Sequence, residues 1–290
     1  MSTAKPHGSQ LDVESLPYIA GQVKYGQLIE GVERYRYDTV DRSRTNLVLE
    51  TRDVKVFDVR SLRDRLSYSR DGFSLLNHTS QFARLANSDR AAEETFLLEL
   101  RENYLREMGD FVRAVSGTPH VFPQPIGFFV RHGSRSKVKT SQRPAALPHV
   151  DFTAGTANEM AAMIQRDSAP GLKYRHFAIY QTWRAVSPAP QDNVLCFCDV
   201  DTVVPEDFKV VESIMGPEDQ PGNVYRMEMA LHSPAHRWMY FADMQPDEVL
   251  LFQGYDTRSP RPILHTSVNN PTPGASVRVS IECRHYAFFE

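Results

Sequence analysis

The sequence predicts an all-β core with flanking helices, an α+β chain whose strands close into a sandwich or barrel. After Pro119 the chain breaks into short apolar runs separated by Gly, Pro, Asn and Asp, the spacing expected of antiparallel strands in series rather than of a parallel α/β sheet. Sustained recurrence of apolar residues at three and four positions is confined to one earlier segment, so helix is the minority element.

Residues 1 to about 30 mix Gly, Pro, Ser and polar residues without a period and read as a loose N-terminal arm, leaving 31–290 as one domain. Val54-Lys-Val-Phe-Asp-Val59 and Arg70-Asp-Gly-Phe-Ser-Leu-Leu76 read as two short strands at a sheet edge. Between Ser80 and Val115, Phe82, Leu85, Phe96, Leu97, Leu100, Leu105, Met108, Phe111 and Val112 recur with helical spacing, giving one or two amphipathic helices that support the core over about 80–116. Gly117-Thr-Pro119 ends them. Strands are then expected at 120–130, 174–186, 194–200, 225–231, 237–242, 249–252, 263–268 and 277–289. A short helix at Asn158–Gln165, with Asn158 at its N-terminus, interrupts the series.

The 290 residues are 41% hydrophobic, enough for a sizeable core. A net charge of −3 with the two signs well mixed argues against nucleic acid or an anionic membrane as a partner. No apolar run is long enough to cross a bilayer, and the first ten residues lack the apolar centre of a secretory signal. The expectation is a cytoplasmic enzyme acting on a small molecule, with no nucleic-acid or membrane partner and with a homodimer left open. Three cysteines cannot complete a disulfide set, and the Cys196-Phe-Cys198 pair has no second pair to build a zinc shell. All three read as buried structural thiols.

The segment Leu147-Pro-His149-Val-Asp151 places an imidazole and a carboxylate two positions apart. On a strand both turn to one face, and a mixed N/O pair of this kind suits Fe(II) once a second imidazole completes the coordinating face and leaves open positions for dioxygen and a co-substrate. His265 is the candidate for that second imidazole. The turn-forming Asn269-Asn-Pro-Thr-Pro-Gly274 folds the chain back, and Arg278-Val-Ser280 follows thirteen positions after His265. Arg278 can then grip the distal carboxylate of 2-oxoglutarate through two parallel N–H bonds, with Ser280 adding a third contact.

An isolated H-x-D is common, and by itself more often a loop feature than a ligand pair; the later histidine, the turn and R-x-S together raise its weight. Alternation puts Arg278, Ser280, Glu282 and Arg284 on one strand face and Val277, Val279, Ile281 and Cys283 on the other. Periodicity leaves open whether the polar face meets solvent or the barrel interior. His232 and His236 have the spacing of a helical zinc pair, but Pro234 between them opposes a helix. His120, His132 and His176 read as core or rim histidines. No nucleophile elbow, phosphate-binding glycine loop or dinucleotide fingerprint is present.

On these residues the chain resembles the CmcJ/NvfI-type, AsaB-like oxygenases of secondary metabolism. The resemblance runs from about Asp53 to the C-terminus. It rests on Val56-Phe-Asp-Val-Arg60 with Asp71-Gly-Phe73, His149-Val-Asp-Phe-Thr153, Gln181-Thr-Trp-Arg184, Leu195-Cys-Phe-Cys-Asp199, Gly254-Tyr-Asp256 and Arg278-Val-Ser-Ile-Glu-Cys-Arg284. It implies a double-stranded β-helix, or jelly roll, related to cupins. Fe(II) would sit on His149, Asp151 and His265, 2-oxoglutarate and dioxygen would be co-substrates, and the substrate would be a metabolite that is hydroxylated, desaturated or cyclised. Gln181 stands where the family pattern has Asn, and Val194-Leu-Cys196 where it has Pro-Leu-Ala, so substrate identity does not carry over. Arg184 is a candidate second carboxylate contact, with a structural ion pair as the alternative. Trp183 and Tyr180 are expected in the core. Two rivals remain at this stage: a cupin-like metal enzyme that does not use 2-oxoglutarate and has no need of Arg278, and a non-catalytic β-sandwich that binds a small ligand.

Overall fold

The apolar runs pair into two facing sheets in the computed structural model, which describes residues 12–38, 41–83, 94–133, 135–138, 143–218, 223–259, 261 and 263–290, with side chains of the long helix described from residue 98. Among the described residues the larger sheet has the order β1 (Tyr18–Gln27), β3 (Val48–Asp58), β11 (Trp238–Tyr240), β8 (Asn193–Cys198), β13 (His265–Asn269), β6 (His149–Val150), β10 (Val224–Ala230), β9 (Phe208–Ile214) and β2 (Tyr35–Asp38). The smaller has β4 (Phe73–Asn77), β12 (Glu248–Asp256), β7 (His176–Ala185), β14 (Val279–Phe289) and β5 (Val121–His132). Pairing is antiparallel except at β3 with β11 and β2 with β9.

Two runs of chain, β6–β7–β8 and β12–β13–β14, cross back and forth between the sheets. β7 pairs with both β12 and β14, and β13 with both β6 and β8. The runs are thus wound antiparallel about one axis, which is the double-stranded β-helix.

Inward residues join the sheets. Phe73, Trp183 and Phe252 of the smaller sheet meet Phe57, Phe197 and Met239 of the larger, and the Phe73 and Phe197 rings stack with centroids 4.6 Å apart. Burial of each such side chain stabilises by roughly 1.5–3 kcal/mol. The outer face of the smaller sheet is covered by α2 (Glu94–Ser116), whose Leu100, Tyr104 and Met108 pack on Val279, Ile281 and Cys283. At one end of the interior lies α3 (Ala154–Ser168); its Ala157, Ala161 and Ile164 form an apolar stripe against Phe177, Ile179, Tyr286 and Phe288.

The structure corrects the reading of residues 1–30 as a loose arm. Residues 18–27 form β1, paired along their length with β3, while residues 1–11 lie outside the described part. The strand is hard to see in sequence because two of its positions are glycines: a Cβ at Gly21 would collide with Val268 Cγ1, and one at Gly26 would reach Met229 Sδ. Nor is the Val54–Val59 stretch an edge, since β3 lies between β1 and β11, whereas β4 is the edge of the other sheet. The helix expected from Ser80 is described from Glu94, and Leu85 lies outside the described residues. α3 begins earlier than expected. Thr153 is its N-cap and accepts from Thr156 N–H, and Asn158 sits inside it, donating to the Ala154 carbonyl. No described helix is long and apolar enough to cross a membrane.

Candidate metal centre

β6 is only two residues long, yet it fixes the site, because His149 lies opposite His265 of β13 in the antiparallel register and opposite Met229 of β10 on its other side. Opposed residues share a face and stand about 5 Å apart; the two imidazole centroids are 4.5 Å apart. Each ring is oriented in the same way. His149 Nδ1 is 2.7 Å from the Leu147 carbonyl and His265 Nδ1 is 2.9 Å from the Ile263 carbonyl. A carbonyl only accepts, so both Nδ1 atoms carry the proton and both Nε2 atoms present a lone pair.

Those lone pairs converge on Asp151. His149 Nε2 is 3.5 Å from Asp151 Oδ1, and His265 Nε2 is 3.4 Å from Oδ2. The ligand atoms of the three residues lie within 4.8 Å of one another, the one such cluster of three or more among the described residues. Asp151 is 2% exposed, and its Oδ2 has no hydrogen-bond donor among the described residues. Buried acceptors facing one another without donors are costly unless a cation lies between them. Donors bound at about 2.0–2.2 Å to one ion and set at right angles lie about 3 Å apart, so the His265 Nε2–Asp151 Oδ2 pair need close by only a few tenths of an ångström. The donor set, two imidazoles and one carboxylate, is the type that suits non-haem ferrous iron.

Arg284 donates to Asp151 Oδ1 at 2.9 Å and to Glu282 Oε1 at 2.9 Å. Burial alone would raise the Asp151 carboxyl, but the Arg284 charge and the two imidazoles outweigh it and hold the group well below the usual carboxylate range. Burial would lower His265, and the contact with Asp151 outweighs that and raises it. Arg284 therefore occupies one carboxylate oxygen and leaves Oδ2 available. Glu282 in turn stands 3.5 Å from Arg131 Nε.

On the same inner face of β14, just before its first residue, Arg278 is 1% exposed. Its Nη1 donates to Asn193 Oδ1 at 2.7 Å, and its guanidinium lies 5.4 Å from the Trp183 ring centroid. Its Nε has no acceptor among the described residues, and neither does the buried Ser280 hydroxyl find a partner. Burial, reinforced by the Arg131 charge, pushes the Arg278 guanidinium down to about 9. A carboxylate beside it would supply the missing acceptors and charge. Arg278, Trp183, Glu282, His149 and His265 line one cavity.

The polar face of β14 thus looks inward, with Val279, Ile281 and Cys283 outward against α2. Of the residues singled out from sequence, His149, Asp151 and His265 come together, and Arg278 shares their cavity. Ser280 is buried on the same strand face, between Arg278 and Glu282. Arg184 does not join them. It is opposite Ile281 in register and so projects outward, donating to Tyr104 Oη, the His78 and Pro246 carbonyls and His78 Nδ1. This corrects its assignment as a carboxylate contact: it ties β7 to α2 and two loops. Trp183 lies in the core as expected, among Phe73, Phe197 and Phe252, and its ring also faces Arg278 in the cavity wall. His236 is paired with Asp207 and Tyr25, and the three cysteines are buried and free. The roles of Glu282 and Arg284 were visible in sequence only as alternation on one strand face.

A family model described as Oxidoreductase/YMDC permease-like domain matches residues 23–288. Hydroxylase/desaturase efuI of Hormonema carpetanum is 27% identical over 284 residues, covering 90% of each chain. Hydroxylase/desaturase asaB of Aspergillus flavus is 31% identical over 164 residues, 50% of this chain and 70% of that one. Among solved structures, an iron and alpha-ketoglutarate-dependent endoperoxidase, NvfI, aligns with a TM-score of 0.79 at 20% identity, covering 94% of this chain and 98% of that one. The last likeness is one of fold.

Proposed function

The chain belongs to the Oxidoreductase/YMDC permease-like domain family, and on that premise we propose that it is an Fe(II)- and 2-oxoglutarate-dependent oxygenase acting on a small molecule of secondary metabolism. One observation carries the reading. In the buried His149, Asp151 and His265 cluster one Asp151 oxygen lacks a donor among the described residues, and the two histidines share a cavity with a buried guanidinium whose Nε lacks an acceptor among them. A divalent cation and a dicarboxylate would satisfy both deficits. Relatives named hydroxylase/desaturase and a structural neighbour named for iron and alpha-ketoglutarate support it.

In this reading His149 Nε2, His265 Nε2 and Asp151 Oδ2 hold the ferrous ion, and the backbone carbonyls behind the two rings keep the correct nitrogens turned inward. Arg284, by engaging Oδ1, orients the carboxylate and balances its charge. Arg278 grips the distal carboxylate of 2-oxoglutarate with Ser280, and Trp183 excludes water from the guanidinium's face. When bound, ferrous iron with 2-oxoglutarate supplies dioxygen activation coupled to release of succinate and carbon dioxide. The protein's contribution to the outcome, whether hydroxylation, desaturation or cyclisation, is where it holds the substrate carbon. The whole site is built within one chain, so a monomer or a homodimer serves equally.

Anaerobic equilibrium dialysis tests the reading: one Fe(II) per chain is expected for the wild type, with retention lost in His149→Ala. A folded wild-type protein that retains no ferrous iron, or a His149→Ala variant that retains it undiminished, would sink the proposal.

A further inference from the structure

Next to the cavity that would take the short dicarboxylate lies a larger chamber. His149, Arg131 and Arg284 line both, so the chamber opens onto the metal ligands. Part of its wall is apolar and adaptable, formed by Phe129, Leu147, Met215, Tyr225 and Met227.

The charge on that wall is one-sided. Four arginines reach it, Arg42, Arg131, Arg143 and Arg284, against one carboxylate, Asp151. Arg284 is already held by Asp151 and Glu282. Arg42 lies over the Tyr37 ring and Arg131 over the Phe129 ring, each 4.8 Å from the centroid. Arg143 donates to the His132, Gly133 and Val138 carbonyls and has no carboxylate partner among the described residues. Arg131 is the exception in position. Its Nη1 donates to the Arg143 carbonyl, its Nε is 3.5 Å from a Glu282 carboxylate that Arg284 engages more closely, and its Nη2 has no partner among the described residues. The side chain is 19% exposed, at the boundary of the two cavities.

A charge count points the same way. Arg131, Arg278 and Arg284 carry three positive charges, and Asp151 and Glu282 two negative ones. A ferrous ion and the 2-oxoglutarate dianion add equal and opposite charge, so one positive charge remains; Arg284 also meets the larger chamber with an Nε lacking a partner among the described residues, but its charge is engaged by two carboxylates at 2.9 Å, whereas Arg131 has only the shared Glu282 at 3.5 Å. In a partly desolvated wall such a cation favours an anionic partner.

Resting on the oxygenase reading for the chemistry, we propose that the substrate is a largely apolar carboxylic acid bigger than 2-oxoglutarate. Arg131 holds its carboxylate, and its hydrocarbon body lies along Phe129, Tyr225, Met215 and Met227. The carboxylate fixes one end of the molecule at the cavity boundary, so the carbon presented to the metal face is set by its distance from that end. Arg131 is thereby the specificity-determining residue of the chamber.

The test is calorimetric titration of the full chain with aromatic, polycyclic and long-chain carboxylic acids, each beside its own methyl ester, first without metal and then anaerobically with Fe(II) and 2-oxoglutarate. The wild type should bind at least one acid about ten-fold more tightly than its ester. Arg131→Gln should bring the pair within about two-fold and Arg131→Lys should restore most of the preference, with 2-oxoglutarate affinity moving less than about three-fold in both. Three results overturn the proposal: no member of the panel binds, esters bind as well as acids, or the preference survives Arg131→Gln. A loss of 2-oxoglutarate affinity in Arg131→Gln matching the loss for the acid would also overturn it, by placing Arg131 in the co-substrate grip. Because the metal-free titrations do not depend on iron, failure of the oxygenase reading would show separately, as absent 2-oxoglutarate binding in the metal-loaded wild type.

Discussion

Arg184 and Arg278 are both buried arginines of the smaller sheet, 0% and 1% exposed, and they differ in what surrounds them. Arg184, on the outward face, donates to two carbonyls, a tyrosine hydroxyl and an imidazole nitrogen. Arg278, on the inward face, has one side-chain acceptor, Asn193, and an Nε with none among the described residues. The contrast extends along β14: outward His285 donates Nε2–H to the Leu105 carbonyl at 2.9 Å, while the inward Ser280 hydroxyl has no partner among the described residues. A buried polar group whose bonds are complete holds a fold together, and one whose bonds are incomplete marks where a ligand completes them.

The outward side should yield the largest effect on stability. Arg184→Met leaves the Tyr104, His78 and Pro246 acceptors without their donor, and should lower the unfolding free energy by about 3 kcal/mol or more in urea titration, with 2-oxoglutarate affinity of the folded fraction unchanged. Loss of that affinity at unchanged stability would reverse the two arginines' roles. His285 supplies the pH counterpart. Burial drives its imidazole from 6.5 down to about 4, so between those values the unfolded chain takes up a proton that the folded one refuses. Stability is complete above about 6.5 and falls as the pH drops towards 4, by roughly 3 kcal/mol over the interval. His285→Gln keeps an N–H for Leu105 and should flatten that acid limb; an unchanged limb would place its origin elsewhere.

Inward changes should leave stability nearly alone and strike binding. Arg278→Ala is expected to weaken 2-oxoglutarate about a hundred-fold, close to 2.7 kcal/mol, while Fe(II) is retained. Unchanged affinity would move the anchor to another arginine. Ser280→Ala should cost about 1 kcal/mol of the same affinity, a few-fold shift in the same titration, and no change would leave Arg278 as sole anchor.

Much of this division was legible in sequence, and where it was not the reason is physical. The spacing of His149 and Asp151 and the alternation from Arg278 to Arg284 follow the two-residue period of a strand, which survives any detail of packing. Which face turned inward was not legible, because β7 and β14 are buried on both sides, so alternation separates the two faces without saying which one looks into the barrel. For that reason the placement of the adjacent Trp183 and Arg184 comes only from register, which puts Trp183 opposite Glu282 and Arg184 opposite Ile281. β1 was missed because its glycines, needed under Val268 and Met229, read as loop. The meeting of His265 with His149 depends on a cross-strand register over more than a hundred residues, which spacing does not encode.

The central claim, that His149, Asp151 and His265 hold one ferrous ion beside a 2-oxoglutarate site, is tested most directly by anaerobic visible spectroscopy of the full chain with Fe(II) and 2-oxoglutarate. The account predicts a weak charge-transfer band of the metal–keto-acid chelate that saturates at one iron per chain and is missing in Asp151→Ala. Folded wild-type protein that gives no band, or a band undiminished in that variant, would contradict it.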